Sequence, residues 1–378
     1  MKNLITRRQL IRFIGSALLI PGIVGSSAAQ TTDPGSHGNQ AAEVMEQIQK
    51  NFWDRKTGLY AAAIDKKSPD FMWGSGVMFS AVVGAVRHDP KYKPVMRKFF
   101  EGIESYWDSK VKIPGYEAAP TGGGGNDKYY DDNAWMVITF LEAYEITGES
   151  RYLKRSMETL DFVMSGWDEQ AGGGIWWHVA HKDGCKNTCV NAPAAVGCFH
   201  ISKYIDPKAA EKRIADGGKI VKWTTATLRA DNGLFGDAIV VATGRKNMGT
   251  LTYNSALMIR AYLSLYALTG KDVYLDEARL TGNAAEGLLD KGSGAYRDPL
   301  KWAHLMVEAD LELYRWTQDD KFLKRARTNC DVHYAEWKKS PPPDLITNAS
   351  LARELWLMAD METAAGQEFR KKSDRLGK

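Results

Sequence analysis

What this chain lacks narrows it first. No apolar run is long enough to cross a bilayer; the stretch from Phe13 to Val24 is too short for a permanent membrane helix. Nor is there a surplus of one charge beyond the N-terminus. Residues 1–29 hold four basic and no acidic side chains, which accounts for the whole formal charge of +4, so nothing in the remainder asks for a nucleic-acid partner. Cysteine is scarce, at four residues. Neither these nor His178, His181 and His200 stand at metal-ligand spacing, and no metal or cofactor is expected. Cys185 and Cys189 flank a short loop and suit either a disulfide formed after export or buried thiols. Strand-like alternation is also scarce, which argues against a sheet-based fold.

The short apolar stretch has its own explanation. Lys2, Arg7, Arg8 and Arg12 precede it and Ser27-Ala28-Ala29 follow it, so residues 1–29 read as an export signal cleaved near Gln30. Thr6-Arg7-Arg8-Gln9-Leu10-Ile11-Arg12 is similar to a twin-arginine signal, the alternative being an ordinary secretory leader. Both imply a periplasmic or secreted protein without a membrane span in the mature chain. Residues 30–39 read as a short flexible lead and 40–365 as one domain. Residues 366–378, with Arg370, Lys371, Lys372, Arg375 and Lys378, read as a solvated basic tail.

What is present is a repeat. Phe140 to Lys154 (FLEAYEITGESRYLK) aligns with Tyr262 to Asp276 (YLSLYALTGKDVYLD); a third copy runs through Leu313-Tyr314-Arg315-Trp316-Thr317 to Phe322, and a degenerate one covers His88 to Tyr92. Each copy ends an apolar helix at a Gly, Asp or Pro turn and starts a second helix at an aromatic residue. Gly148 and Gly270 stand where a helix C-terminus needs a left-handed residue. The anchor aromatics Tyr92, Tyr152, Tyr274 and Phe322 give hairpins of roughly fifty to sixty residues, about six in all. Without polar capping repeats, such hairpins close into a ring rather than an open solenoid. The expected fold class is all-α, an (α/α)6 toroid.

The connections between hairpins are peculiar. Gly122 to Gly125 are four consecutive glycines, and Trp167 to Trp177 is rich in Gly and Trp. Such loops suit a binding site on a rigid scaffold better than a core, although four glycines also suit a flexible linker. The first loop leads into Tyr129-Tyr130-Asp131-Asp132-Asn133-Ala134-Trp135. An acidic residue at a helix start is ordinary capping chemistry. Two between aromatics also suit glycosidic bond cleavage, in which one carboxylate attacks and its neighbour is kept protonated by repulsion and desolvation. Tryptophans present flat faces on which sugars pack; Trp73, Trp135, Trp176 and Trp177 recur at hairpin starts and in glycine-rich loops.

The string Tyr130-Asp131-Asp132-Asn133-Ala134-Trp135 resembles the signature of glycoside hydrolase family 76. Further segments resemble that family in order: Trp73-Gly74-Ser75-Gly76, Gly173-Gly174-Ile175-Trp176-Trp177, Lys186-Asn187 with Asn191-Ala192-Pro193-Ala194, and Leu251-Thr252-Tyr253-Asn254. The resemblance spans about residues 40–325 and departs from the pattern after Asp290. It implies an endo-acting, retaining α-1,6-mannanase, with Asp131 as nucleophile and Asp132 as general acid/base. Trp73, Tyr130, Asn133, Trp135, Trp176, Trp177, Lys186, Asn191, Asp237, Tyr253 and Asn254 are then the expected substrate-binding residues. Asp237 enters because Gly233-Leu234-Phe235-Gly236-Asp237 resembles a family loop. The expected partner is α-mannan, bound by a monomer. The competing readings are a transglycosylase of the same family, another α/α-toroid sugar enzyme such as an epimerase or unsaturated glucuronyl hydrolase, and a non-catalytic glycan-binding protein.

Overall fold

The computed structural model describes residues 36–180 and 184–363. The expected export signal (1–29), most of the lead (30–39) and the basic tail (366–378) lie outside the described residues. Helix α1 (His37–Asn51) begins inside the segment read as lead, capped by the Ser36 side chain on the Asn39 amide. Eleven more α-helices follow among the described residues: α2 (Met72–His88), α3 (Lys93–Ile103), α4 (Tyr130–Thr147), α5 (Ser150–Met164), α6 (Thr188–Ile201), α7 (Pro207–Leu228), α8 (Thr252–Thr269), α9 (Asp272–Ala284), α10 (Leu300–Thr317), α11 (Asp320–Lys339) and α12 (Leu345–Glu362).

Their burial sorts them into two rings. In α6, twelve of fourteen residues are buried, with no solvent-facing stripe, so this helix is surrounded on every side. In α3, by contrast, burial is confined to Met96, Phe99, Phe100, Gly102 and Ile103, one face of an outer helix. The even-numbered helices pack each on the next, and α12 packs back on α2, which closes the inner ring. The odd-numbered helices lie outside. The fold is an (α/α)6 toroid, as the repeat implies. One hairpin is not consecutive: α12 takes α1 as its outer partner, so the chain's two ends complete the same unit. His37 ties them, with Nδ1 at 2.6 Å from Glu362 and Nε2 at 3.2 Å from Asp331.

Inner and outer helices are joined by tight turns at one end of the ring. Gly148 (φ 69°) and Gly270 (φ 62°) take the left-handed conformation there. Aromatic pairs join neighbouring units: Phe79 and Phe140 meet edge to face at 5.3 Å, and Phe100 meets the anchor Tyr152 at 5.0 Å. Such pairs contribute about 0.5–1.5 kcal/mol each beyond their burial.

At the other end lie the long connections that bring the chain back to each inner helix. They hold short antiparallel pairs: β1 (Trp53–Asp54) with β2 (Leu59–Tyr60), β3 (Trp107–Asp108) with β4 (Gly115–Tyr116), and β5 (Cys185–Asn187), β6 (Ala238–Val240) and β7 (Lys246–Asn247) in one three-stranded sheet. The four-glycine run is not a linker. It folds around the buried Glu117 carboxylate, which accepts the amides of Gly123, Gly125 and Asn126 at 3.0–3.1 Å.

Candidate active site

All six inner helices start at the end that carries these connections, so their first turns surround one opening. Two hollows meet there. One, of 420 Å³, is mainly apolar and is lined by Phe71, Trp73, Tyr129, Asp132, Trp135 and Trp302 among others. The second, of 570 Å³, has more polar side chains, with Asn187, Asp237, Arg245, Lys246 and Asn247 on its wall. Asp131, Trp177, Cys189 and Tyr253 face both. The junction of the two hollows is therefore at Asp131.

The two carboxyls sit in unlike surroundings although they are neighbours in the chain. Helix α4 is entered from Tyr129, whose side chain makes no capping bond, and Asp131 and Asp132 occupy its first turn. Asp131 Oδ2 accepts the indole N–H of Trp177 at 2.9 Å and the Cys189 thiol at 3.6 Å. Its Oδ1 accepts the Asp132 amide at 3.0 Å. No donor among the described residues reaches the Asp132 carboxyl. Burial raises the pKa of both; around Asp131 the rise is opposed by Trp177, the Asp132 amide and Cys189. Asp132 is pushed well above the carboxylate range, by burial first and then by the charges of Asp131 and Asp70. Burial in turn lifts Asp70 to about 6. One carboxyl is thus provided with donors that favour its anion, and the other with neighbours that favour its proton.

The Trp167–Trp177 loop is held by a lysine. Lys186, on β5 and fully buried, donates to Asp168 Oδ1 at 2.6 Å and to the carbonyls of Gln170 and Gly173 at 2.8 Å each. Trp176 lies under the ammonium at 5.0 Å and gives its own N–H to Asp168 at 2.7 Å. Trp177 comes next in the chain, two-fifths exposed, and reaches Asp131. Beneath the pair, Trp135 rests on the Arg353 guanidinium at 5.1 Å.

Of the expected substrate-binding residues, Trp73, Trp135, Trp177, Asp237 and Tyr253 line the opening with the Asp pair. Asp237 accepts from Asn247 at 3.0 Å and from the Tyr253 hydroxyl at 3.4 Å. The side chains of the other six are enclosed in the wall. Tyr130 stacks on Phe162 at 4.9 Å. Asn133 brackets Tyr116, taking its amide at 2.8 Å and giving to its carbonyl at 3.0 Å; Asn191 does the same to Ile175 at 2.9 and 3.2 Å. Trp176 and Lys186 hold the loop, and Asn254 is fully buried. Cys189, Phe71, Tyr129, Trp302, Asp70 and the Arg245–Asn247 stretch went unread. Cys185 and Cys189 are free thiols, as are Cys198 and Cys330.

Comparisons with known proteins agree with this geometry. The chain matches the model of glycosyl hydrolase family 76 over residues 36–297. A family 76 α-mannanase of Bacteroides thetaiotaomicron superposes with a TM-score of 0.81 at 23% identity, over 86% of this chain and 96% of that one. An α-1,6-mannanase of Salegentibacter sp. HEL1_6 gives 0.75 at 22% identity, over 86% and 100%. An inactive variant of the latter, with two consecutive aspartates replaced by alanine and α-1,6-mannotetrose bound, gives 0.73 at 21% identity, over 86% and 99%. A search of curated protein sequences gave no match. The chain belongs to glycosyl hydrolase family 76.

Proposed function

We propose that this glycoside hydrolase cleaves α-1,6-mannosidic bonds within α-mannan, with retention of configuration, using Asp131 as nucleophile and Asp132 as general acid/base. The observation that carries the reading is the asymmetry of the pair: among the described residues, three donors reach Asp131 and none reaches Asp132. In the first step Asp131 attacks the anomeric carbon, the glycosidic C–O bond breaks, and the Asp132 proton passes to the departing oxygen. In the second, water gives a proton to Asp132 as its oxygen attacks the same carbon and Asp131 leaves. The aromatic hollow supplies stacking faces for the sugar rings, while Asp237, Asn187 and Asn247 suit their hydroxyls. The bound oligosaccharide of the Salegentibacter variant points to the same linkage.

The leader pattern in residues 1–29 supports action outside the cytoplasm. No described helix is long and apolar enough to cross a membrane.

The test is product analysis on linear and branched α-1,6-mannan with wild type, Asp131→Asn and Asp132→Asn. Asp131→Asn is expected to abolish turnover of every substrate. Asp132→Asn is expected to keep partial activity on aryl mannosides whose leaving group needs no proton. Near-native activity of Asp131→Asn with lowered thermal stability would reduce the pair to helix capping and overturn the assignment.

A further inference from the structure

Two basic side chains, Arg245 and Lys246, line the second hollow beside Asp131 and Asp237. Its outer wall is the β6–β7 hairpin, and the hairpin is firmly held. Val240 N–H bonds Arg245 O at 2.9 Å, Gly244 N–H bonds Val240 O at 2.8 Å, and Asp237 N–H bonds Asn247 O at 2.8 Å. Ile239 stands opposite Lys246 in the ladder, and β6 is paired on its other edge with β5, the strand of Lys186. Arg245 and Lys246 therefore project from a braced support, and both line the hollow that Asp131 faces.

Neither cation has a carboxylate within ion-pair distance among the described residues. Lys128 and Arg229, by contrast, are paired, with Asp108 and Glu277 at 2.6 Å each. Asp237 lines the same hollow, and its carboxylate oxygens already take Asn247 and Tyr253. Asp237, Asn187 and Asn247 on the same wall already suit the hydroxyls of a plain mannan. Two free cations at the rim of the same hollow suit an anion: a guanidinium fork that binds two oxygens at once, beside a point-charge ammonium.

We propose that Arg245 and Lys246 select mannan bearing an anionic substituent, phosphate or carboxylate, on a sugar bound beside Asp131. The proposal rests on the mannanase reading and narrows its substrate class. Charge attraction of this kind acts through exposed groups, so its effect is moderate and falls as salt rises.

The experiment compares linear α-1,6-mannan, the same backbone carrying phosphomonoesters, and the same backbone carrying carboxylates, at low and moderate ionic strength. For wild type, kcat/KM on at least one anionic substrate is expected to exceed that on neutral mannan by about tenfold at low salt, with the ratio shrinking as salt rises. The arm that shows the preference identifies phosphate or carboxylate. In the double variant Arg245→Gln, Lys246→Gln the ratio of anionic to neutral turnover is expected to collapse towards one. An unchanged ratio in the variant, or a wild-type ratio near one at low salt, overturns the proposal and leaves the two side chains as partners of neutral hydroxyls. Absence of products from all three polymers would instead overturn the mannanase reading.

Discussion

Lys186 separates two accounts of this site, and replacing it with methionine decides between them. The sequence motif puts the lysine among the substrate ligands; the structure buries it under the Trp167–Trp177 loop. Methionine keeps much of the side-chain volume and removes every donor. The buried Gly173 carbonyl, 2.8 Å from the ammonium, then loses its partner, whereas that of the exposed Gln170 keeps the Gly173 amide. Leaving that one group buried and unpaired costs about 1–3 kcal/mol. The Asp168 carboxylate adds little, because its side chain is 38% exposed and water replaces the lysine there. Relief of the lysine's own desolvation offsets part of the loss. The balance is about 1–2 kcal/mol, which lowers Tm by roughly 1–3 °C in a chain of this size. Because the loop also delivers Trp177 to Asp131, kcat should fall by about tenfold, more than KM rises. Scanning calorimetry and steady-state kinetics on α-1,6-mannooligosaccharides read both effects. An unchanged Tm with a raised KM and normal kcat would return Lys186 to the cleft and refute the reasoning.

Three further outcomes follow from the same geometry. Asp132 binds its proton more tightly in the folded chain than in the unfolded one, so stability falls as pH rises from the ordinary carboxylate range through its elevated folded value. Asp132→Asn removes that loss, and its Tm relative to wild type should improve as pH rises above about 4; a difference independent of pH would refute the raised carboxyl. In kcat/KM profiles the basic limb should belong to Asp132 and move or vanish in Asp132→Asn on activated aryl mannosides, whereas a basic limb unaltered in that variant would assign it elsewhere. Gly76→Ala would put a methyl group 2.5 Å from Trp135 Cδ1 and 3.0 Å from Met136 Sδ, which costs about 1–3 kcal/mol and tilts the indole under the Asp pair. Its KM for oligosaccharides should rise with the loss of stability, and an intact KM would show that Trp135 is not part of the sugar-binding surface.

How far the sequence could be read depended on what each signal encodes. Turn chemistry was legible: Gly148 and Gly270 mark two tight connections because only a residue without Cβ takes that backbone at little cost. The equivalent turn after α10 uses Gln318 at φ 54°, so no glycine marked it. Which residues face the opening was less legible, because a motif gives neighbours in the chain while a helix turns each about a hundred degrees from the last. The repeat resolves this once the helix starts are known. The second residue of α2, α4, α6 and α8 is Trp73, Asp131, Cys189 and Tyr253, and all four line the site. The fourth residue is Ser75, Asn133, Asn191 and Ser255, and all four are buried. There they bind the loop or strand that leads into the ring: Asn133 takes Tyr116, Asn191 takes Ile175, and Ser255 takes the Phe235 amide at 3.0 Å. Asn348, fourth in α12, takes the Trp337 indole at 2.8 Å in the same way. Asn133 and Asn191 share a motif with the candidate catalytic residues because the same first turn that aims one side chain at the axis must anchor the incoming loop with another. Helix register therefore separates the two roles, and it would have exposed Cys189, unremarkable as a letter, as the counterpart of Asp131 one hairpin on.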